Sequence, residues 1–304
     1  MLEAISCAVL VPTFNAEGTI EQTLSSLQSN SRIDHVSRVV LIDNCSTDKT
    51  EAVAKACWNS KTPLDVWVNE KNLGVYGSKN LALNRLADLV DWTFILHSDD
   101  MAKPNWLQVY LDAIEQVPPT VASISSSYDI WKSDIDEITP GEDVPDGAVV
   151  QIPGTSEHVL NTVRMGCWWQ IGGCCIRNKL FREIGDFDVS LSRSGDWDWL
   201  LRCLSMGYGI WYIPRSTVWR REHANALSAV TSRSSEDILQ ELQVLRNLKQ
   251  NDWLDAPRYR AEVRRLMLRV SRRVMSCSVR GNLPASLLNV NLLIKTSMEL
   301  RNVR

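Results

Sequence analysis

Two stretches decide the fold class of this 304-residue chain: CAVLVPTFN (residues 7–15) and RVVLIDN (residues 38–44). Each is a short run of apolar, largely β-branched residues that ends in turn-forming residues, which is typical of a strand. The segments that follow, GTIEQTLSSLQSN (18–30) and STDKTEAVAKACWNS (46–60), space their apolar residues as a helix does and begin with Gly or Ser. This alternation predicts successive β-α units.

The alternation continues through DVWVNE (65–70), GSKNLALNRLADLV (77–90) and WTFILH (92–97). Three or four strands that alternate with helices predict an α/β fold, with a mainly parallel central sheet flanked by helices. Ligands bind such sheets beyond the carboxyl ends of the strands. Polar motifs follow every predicted strand at that end, so we expect one crevice to hold them.

The composition limits the class of protein. With 44% hydrophobic residues the chain can form a substantial core. The eight cysteines include no CxxC pair, which favours reduced thiols over zinc sites or disulfides. No apolar run reaches 18 residues and the N-terminus has no secretory signal, so the sequence predicts a cytoplasmic protein.

Asp99 and Asp100 directly follow an apolar run in FILHSDDMAKPNW (94–106). Two carboxylates at a strand end suit a divalent cation that holds phosphates, because hard cations prefer oxygen ligands. A solvated turn or a helix cap is the structural alternative for such a pair. The neighbouring motifs favour the metal site.

Six motifs in a fixed order carry a family resemblance. They are VPTFNAEGTI (11–20), LIDNCSTDKT (41–50), NEKNLGVYGSKNLAL (69–83), FILHSDD (94–100), FREIGDFDVS (181–190) and SGDWDWLLR (194–202). Over about residues 5–230 the chain resembles the inverting nucleotide-sugar glycosyltransferases of family 2. The resemblance implies a Rossmann-like GT-A fold over residues 1–230, with a nucleotide-binding half (about 1–120) and an acceptor-binding half (about 121–230). Outside the resemblance, the charge and periodicity of residues 231–304 predict a basic helical extension.

The resemblance implies a nucleotide cradle in the first two motifs. It places Thr13, Asn15 and Glu17 beside the base and ribose, and Asp43 and Asn44 facing the base. Asn44 stands where the family has a second acidic residue. Its amide can face the N–H of a uracil or thymine ring, without the charge-assisted part of that hydrogen bond. A strand-to-helix turn is the structural alternative for the first motif.

In the third motif the resemblance implies that Asn72, Gly74 and Lys79 approach the diphosphate. Glycine permits close backbone approach, and a cation attracts phosphate. Lys79 replaces the family's usual Arg, so it offers a point charge in place of a planar fork. A solvated helix face is the alternative for Lys79.

The fourth motif corresponds to the family's Asp-x-Asp metal site. The resemblance implies that Asp99 ligates Mn²⁺ or Mg²⁺ and that Asp100 supports it or contacts the sugar, while His97 stands at the first acidic position. His97 there either hydrogen-bonds to ribose or phosphate or ends the strand. In WRREHANALS (219–228), His223 is implied as a second metal ligand, and a surface-loop histidine is its alternative.

The resemblance assigns the catalytic base to Asp196 in SGDWDWLLR (194–202). An inverting displacement needs one carboxylate near the attacking hydroxyl, on the face of the sugar opposite the leaving nucleotide. A helix N-cap is the alternative role for Asp196. Asp198 lies two residues on, so on a helix it points away, which suits a role in orienting Arg202.

Tryptophans crowd the segment from residue 168 to residue 219. Indole stacks on sugar rings and also fills protein cores, and both uses are expected here. The resemblance implies acceptor contacts in this segment. We assign them to four residues: Trp168, Trp169, Gly173 and Trp197.

The C-terminal tail differs in charge from the rest of the chain. Residues 258–304 hold eleven Lys or Arg against two Glu, a local charge of +9, which leaves −12 on the preceding residues. In EVRRLMLRVSRRVM (262–275) arginines interleave with apolar residues, which predicts an amphipathic basic helix. It would rest on anionic lipid at the inner face of the membrane, or pack against the acidic body or a second subunit. No nucleic-acid-binding motif accompanies the charge.

The sequence therefore predicts a metal-assisted inverting glycosyltransferase of polysaccharide biosynthesis. It would move a hexose-type sugar from a nucleoside diphosphate, UDP first among them, to a hydroxyl of a glycan or lipid-linked saccharide. A sugar nucleotidyltransferase is one alternative, but it needs a Gly-rich basic loop after the first strand, which VPTFNAEGTI (11–20) lacks. The other alternative is a non-catalytic nucleotide-sugar-binding or scaffold protein, which would keep the cradle and tolerate loss of the base.

Overall fold

The computed structural model describes residues 5–141, 150–222, 236–279 and 283–302. In these residues the strands are β1 (Cys7–Thr13), β2 (Arg38–Asp43), β3 (Leu64–Val68), β4 (Trp92–Ile95), β5 (Met101–Ala102), β6 (Val121–Lys132), β7 (Glu137–Thr139), β8 (Val150–Ile152), β9 (Cys175–Arg177) and β10 (Gly209–Glu222). The α-helices are α1 (Ile20–Gln28), α2 (Thr50–Cys57), α3 (Gly74–Leu86), α4 (Trp106–Ile114), α5 (Ser156–Met165), α6 (Asn178–Ile184), α7 (Gly195–Ser205), α8 (Glu236–Gln250), α9 (Ala256–Val279) and α10 (Leu283–Asn302). None of these helices, over the residues described, is both long and apolar enough to cross a membrane.

The strands form one sheet in the order β3-β2-β1-β4-β9-β6-β10-β5, with β7 beside β6 and β8 beside β10. The first four strands of the chain are parallel, as the sequence predicts. β9 then runs antiparallel between β4 and β6, and β5, β7 and β8 are also antiparallel to their neighbours. The predicted α/β fold with a flanked central sheet and C-terminal helices is confirmed, and the second half of the sheet is mixed in direction.

The centre of the sheet is buried on both faces, which explains the unbroken apolar run of β1. Val9 and Leu10 of that strand have no exposed surface. α1 turns Ile20, Leu24 and Leu27 towards the core, at the spacing that places them on one side of the helix. This packing fixes the position of β1 and therefore the position at which the loop after β1 begins.

The carboxyl ends of the four parallel strands lie along one edge of the sheet. Backbone hydrogen bonds continue the pairing into the loops beyond them. The backbone N–H of Asn44 donates to the Thr13 carbonyl (2.8 Å), and the backbone N–H of Asn69 donates to the Asp43 carbonyl (2.8 Å). The polar motifs at this edge therefore begin from a backbone that is already fixed.

Gly173 joins β4 to β9. Its amide donates to the Ile95 carbonyl (2.7 Å), and its own carbonyl accepts from the Trp106 indole (3.1 Å) and the Tyr110 hydroxyl (2.6 Å). Its φ of +95° favours glycine, and a Cβ there would lie 2.7 Å from the Val218 side chain. Gly173 therefore has a structural role in the sheet beside its predicted place on the acceptor side.

The chain divides into two compact units. The first comprises residues 1–158 and 168–223, and the second comprises residues 159–167 and 224–304. The predicted domain boundary near residue 230 falls outside the described residues. Residues 159–167, which the sequence analysis assigns to the acceptor-binding half, belong to the second unit.

In the second unit, α9 buries one side of its apolar surface and pairs several of its arginines with carboxylates of the same unit. Val263, Leu266 and Val270 are buried. The ion pairs within the unit include Arg164–Glu262, Arg246–Glu299, Arg265–Glu262, Arg269–Glu241 and Arg273–Asp237. Much of the amphipathic surface seen in the sequence is therefore consumed by the packing of this unit.

Candidate active site

The loops after β1 and β2 hold each other at the carboxyl edge of the sheet. The Asn15 side-chain oxygen accepts from the Thr47 amide (2.9 Å), and the Glu17 carboxylate accepts from the Lys49 amide (2.9 Å). Asn15 has a φ of +48°, a left-handed conformation that asparagine tolerates. Thr13 is buried, and its hydroxyl donates to the backbone of β1. These predicted cradle residues thus shape the loops through contacts with the protein itself.

Asn44 uses every hydrogen-bonding position of its side chain within the protein. Its oxygen accepts from the Leu73 amide (2.8 Å) and the Asn69 side chain (3.0 Å). Its nitrogen donates to the Asn72 side chain (2.9 Å) and the Gly74 carbonyl (3.2 Å). The structure corrects the predicted contact of Asn44 with the base, because this buried amide instead ties the second motif to the third.

Asp43, Asn72 and Gly74 shape the same edge. One Asp43 oxygen accepts from the Ser46 amide (3.0 Å) and from the Ser46 hydroxyl (2.6 Å). Gly74 has a φ of +76°, and its amide donates to the Asn72 side chain (2.8 Å) at the start of α3. A non-glycine residue would be strained there, so the glycine of the third motif is required by the turn into α3.

Lys79 directs its ammonium group into the protein from α3. The residue is 4% exposed, so it does not belong to a solvated helix face. Burial lowers the pKa of Lys79 to about 8, while the negative charges of Asp196 and Asp99 oppose that shift. The ammonium nitrogen also lies 5.5 Å from the ring centre of Tyr76. Lys79 therefore interacts with the two carboxylates to which the sequence gives the central roles.

The loop after β4 brings His97, Asp99 and Asp100 together. One ligand atom from each residue lies within 4.8 Å of the others. Asp100 is buried, and one of its oxygens accepts from the Arg221 amide (2.9 Å) while the other lies 3.7 Å from His97 Nδ1. Burial and the charge of Asp99 raise the pKa of Asp100, and burial lowers the pKa of His97.

The residues of this cluster fit a divalent cation. His97 Nε2 is buried without a hydrogen-bond partner in the described part of the chain, and its lowered pKa keeps the imidazole in the neutral form that ligates metals. Gly172 leaves the necessary room, because a Cβ there would lie 2.8 Å from His97 Nδ1 and 3.3 Å from an Asp100 oxygen. The sequence analysis did not include His97 among the candidate metal ligands, and its place two residues before Asp99 is the signal that could have added it to this cluster. The predicted ligand His223 lies outside the described residues.

Two arginines at the end of β10 border this cluster. Arg221 donates through Nε to the Asp99 carbonyl (2.8 Å), and its guanidinium lies 4.2 Å from the ring centre of Trp131. The Arg220 guanidinium lies 5.4 Å from the ring centre of Tyr128. The acidic cluster thus has cations beside it, which suits a ligand that carries phosphate charge.

Asp196 lies in the first turn of α7 and is turned into the protein. Its carboxylate accepts from the Trp197 amide (2.8 Å), and its own amide donates to the Tyr76 hydroxyl oxygen (3.1 Å). Burial raises the pKa of Asp196, and the Trp197 amide, the Tyr76 hydroxyl and Lys79 offset part of that rise. The charges of Asp196 and Asp99, which are far apart in the sequence, therefore both act on Lys79.

Asp198 and Arg202 fix α7 in place, as the helical spacing predicts. The Asp198 carboxylate accepts from Arg202 Nε (2.8 Å), and Arg202 also donates to the Ile184 carbonyl (2.7 Å). Ser194 is the N-cap residue of α7, so Asp196 does not have that alternative role. α7 thus presents one carboxylate to the site and uses the other to anchor itself.

The tryptophans divide between the core and the surface. Trp169 has no exposed surface, stacks on Trp199 (5.0 Å between ring centres) and donates to the Ser123 hydroxyl (3.0 Å). Its predicted contact with an acceptor is corrected, because a fully enclosed ring offers no face to a sugar. Trp197 is also buried, whereas Trp168 is half-buried and meets the ring of another aromatic residue edge-on.

We expect Asn44→Asp to destabilise the protein, although it restores the family's usual acidic residue. A carboxylate would place negative charge opposite the Asn72 oxygen and the Gly74 carbonyl, which the amide now satisfies. The expected loss in the free energy of unfolding is about 3 kcal/mol, for two broken buried hydrogen bonds. Urea unfolding measures it. The exposed Asn59→Asp is the matched control and should change stability by less than about 0.5 kcal/mol, and equal stability of both variants would contradict the role of Asn44.

Known proteins of similar sequence are glycosyltransferases by name. An "Uncharacterized glycosyltransferase" from Haemophilus influenzae is 26% identical over 202 residues, which are 65% of this chain and 61% of that protein. An "Uncharacterized glycosyltransferase MG060 homolog" from Mycoplasma pneumoniae is 32% identical over 111 residues, 36% of each chain. The chain thus spans about three-fifths of the Haemophilus relative and a smaller share of the Mycoplasma one.

Solved structures share the fold. Staphylococcus aureus TarS (residues 1–349) in complex with UDP-GlcNAc superposes with a TM-score of 0.70 at 18% identity, over 96% of this chain and 81% of that one. GalNAc-T7 with UDP, GalNAc and Mn²⁺ gives a TM-score of 0.61 at 18% identity, over 81% and 48%. The family model for glycosyl transferase family 2 matches residues 8–183, which is more than half of the chain. The protein therefore belongs to glycosyl transferase family 2.

Proposed function

We propose that this protein is an inverting glycosyltransferase that moves a sugar from a nucleoside-diphosphate sugar to a hydroxyl of a glycan or lipid-linked saccharide. The observation that carries the proposal is the buried Lys79, on whose ammonium group the charges of Asp99 and Asp196 both act, together with the His97–Asp99–Asp100 cluster at the edge where parallel sheets bind ligands. Family membership supports it. UDP is the favoured nucleotide, because similar folds hold UDP or UDP-GlcNAc in their solved complexes.

Asp196 is the proposed general base. It takes the proton from the acceptor hydroxyl, whose oxygen attacks C1 of the sugar while the bond from C1 to the diphosphate oxygen breaks. The nucleoside diphosphate leaves with that electron pair, and the configuration at C1 inverts. Burial raises the pKa of Asp196, which strengthens the carboxylate as a base.

The donor phosphates belong beside Lys79 and the His97–Asp99–Asp100 cluster in this proposal. Asp99 and His97 would ligate Mn²⁺ or Mg²⁺, and Asp100 would stiffen the loop through its bond to the Arg221 amide. When bound, the cation neutralises charge on the departing diphosphate. A neutral imidazole together with carboxylate favours Mn²⁺ over Mg²⁺.

The remaining site residues have supporting roles in the proposal. The loops of Asn15, Glu17 and Asp43 would form the cradle for base and ribose. Trp168, which keeps some exposed surface, stays as the aromatic candidate for the acceptor side. The residues of the acceptor-binding half would determine which glycan or lipid-linked saccharide is the acceptor.

Asp196→Asn should abolish most sugar transfer. An amide cannot accept the proton, so kcat should fall by about 10²–10⁴-fold while donor binding stays the same. Transfer from UDP-sugars, measured beside UDP binding by calorimetry, gives both quantities. The exposed Asp134→Asn is the control of equal charge change. Transfer by Asp196→Asn at the wild-type rate would refute the proposed base, and a wild-type protein that binds donor without transferring sugar would favour the non-catalytic alternative.

His97→Gln should weaken the binding of Mn²⁺ in the presence of UDP. Loss of one of two proposed protein ligands should reduce the metal affinity by at least about tenfold. Calorimetric titration of Mn²⁺ into the protein with UDP measures this affinity directly, without an activity assay. His35→Gln, at an exposed position outside the cluster, is the control. Unchanged Mn²⁺ affinity in His97→Gln would exclude His97 from the metal site.

We also propose that the second unit contacts an anionic membrane surface through an exposed stripe of α9. The stripe consists of Arg264, Leu268, Arg272, Met275 and Val279. Their spacing of three or four residues aligns them on one side of the helix. Leu268 is 62% exposed and Met275 is 67% exposed. An exposed apolar stripe with interleaved cations is the chemistry that binds anionic lipid.

The charges of the stripe favour lipid over a second copy of the chain. Arg264 and Arg272 have no ion-pair partner among the described residues, unlike Arg269 and Arg273 of the same helix. The stripe contains no carboxylate, so two copies placed face to face would bring arginines together. Anionic headgroups would complement both arginines.

Arg264→Gln with Arg272→Gln should reduce binding to phosphatidylcholine vesicles that contain phosphatidylglycerol. Each arginine near an anionic surface contributes about fivefold in affinity, so the double variant should bind about 25-fold more weakly. Vesicle co-sedimentation at low salt measures it. Lys61→Gln with Lys71→Gln, at exposed positions of the first unit, removes the same charge and should bind as the wild type does. Equal binding to neutral vesicles, or no loss in the arginine variant, would contradict the lipid contact.

A further inference from the structure

We propose that Tyr76 is the positioning residue for Asp196, holding its carboxylate in the direction needed for proton transfer. This inference rests on the proposed function, because it takes Asp196 as the base. Tyr76 lies on α3 in the nucleotide-binding half, whereas Asp196 begins α7 in the acceptor-binding half. The hydroxyl of Tyr76 therefore links the two halves of the predicted site at one residue.

The Tyr76 hydroxyl contacts Asp196 twice. Its oxygen accepts from the Asp196 amide (3.1 Å), and the hydroxyl also faces the Asp196 carboxylate, where it lowers the pKa of that group. A hydroxyl has one proton to donate and lone pairs to accept, so a single group can serve both contacts. The backbone and the side chain of Asp196 are thereby fixed relative to each other.

The ring of Tyr76 reaches this position because Gly195 precedes Asp196. A Cβ at Gly195 would lie 2.7 Å from the Tyr76 ring, closer than carbon atoms approach. On its other side the ring packs against Phe187 (5.3 Å between ring centres). Phe187 is itself held to α3, since its amide and carbonyl both bond to the Asn80 side chain. Packing against Gly195 and Phe187 thus restricts the Tyr76 ring and directs its hydroxyl towards Asp196.

The contact also adjusts the proton affinity of Asp196. The groups that face its carboxylate are Tyr76 and Lys79 from α3 and the Trp197 amide from α7, and all three stabilise the charged form. Removing the hydroxyl should raise the pKa of Asp196 further. Since the base works in its ionised form, the acidic limb of the pH profile of kcat should then move to higher pH.

Tyr76→Phe tests the inference with little change in volume. We expect kcat to fall about tenfold for the lost hydrogen bond, the KM for the donor to stay constant, and the acidic limb of kcat to move to higher pH. The matched control is Tyr259→Phe in the second unit, a buried tyrosine whose hydroxyl bonds to Glu299. It should lower stability and leave kcat and the pH profile unchanged.

Gly195→Ala provides a second variant that retains the hydroxyl. The added methyl group should push the Tyr76 ring away from α7 and shift kcat and its pH profile in the same direction as Tyr76→Phe. Wild-type kcat and pH profile in Tyr76→Phe would overturn the inference, and so would a raised donor KM with an unmoved acidic limb. Asp196→Asn assayed in parallel separates the two claims: if it is inactive while Tyr76→Phe is normal, only the role of Tyr76 fails.

Discussion

One buried ammonium group interacts with both of the carboxylates that have the central roles in the proposed site. Lys79 lies under the carboxyl edge of the sheet, where an unpaired cation would be costly to bury. Asp99 and Asp196 supply the opposing charge from separate loops of the first unit. The attraction of both carboxylates to this shared cation links the loop after β4 with the start of α7, which lie far apart in the sequence.

The predicted nucleotide cradle depends on an uncharged side chain, that of Asn44, near this charged centre. The four hydrogen bonds of Asn44 connect the end of β2 with the loop that enters α3. An amide suits the position because it meets both donors and acceptors, which a carboxylate cannot do. These bonds add to the packing of buried residues that holds the helix carrying Lys79 and Tyr76 against the sheet.

The sequence predicted the parts of the fold and site that follow from local periodicity. Parallel strands buried on both faces appear as continuous apolar runs, and helical phase separated Asp196 from Asp198. β5 and β9, with two and three residues, are too short to show any period, so the mixed half of the sheet was not apparent. The enclosure of Trp169 and the contact of Tyr76 with Asp196 depend on which groups meet after folding, and no spacing in the sequence encodes such encounters.

The discontinuity of the second unit has a consequence for synthesis on the ribosome. Residues 159–167 pair with α9 through Arg164 and Glu262, yet α9 begins about 90 residues after α5 ends. At roughly 5–20 residues per second, translation takes roughly 5–20 s to produce those partners. Val163 is buried in the folded protein, but the C-terminal helices that cover it have not been synthesised during that interval. The nascent chain therefore exposes an apolar segment to chaperones until its last helices emerge.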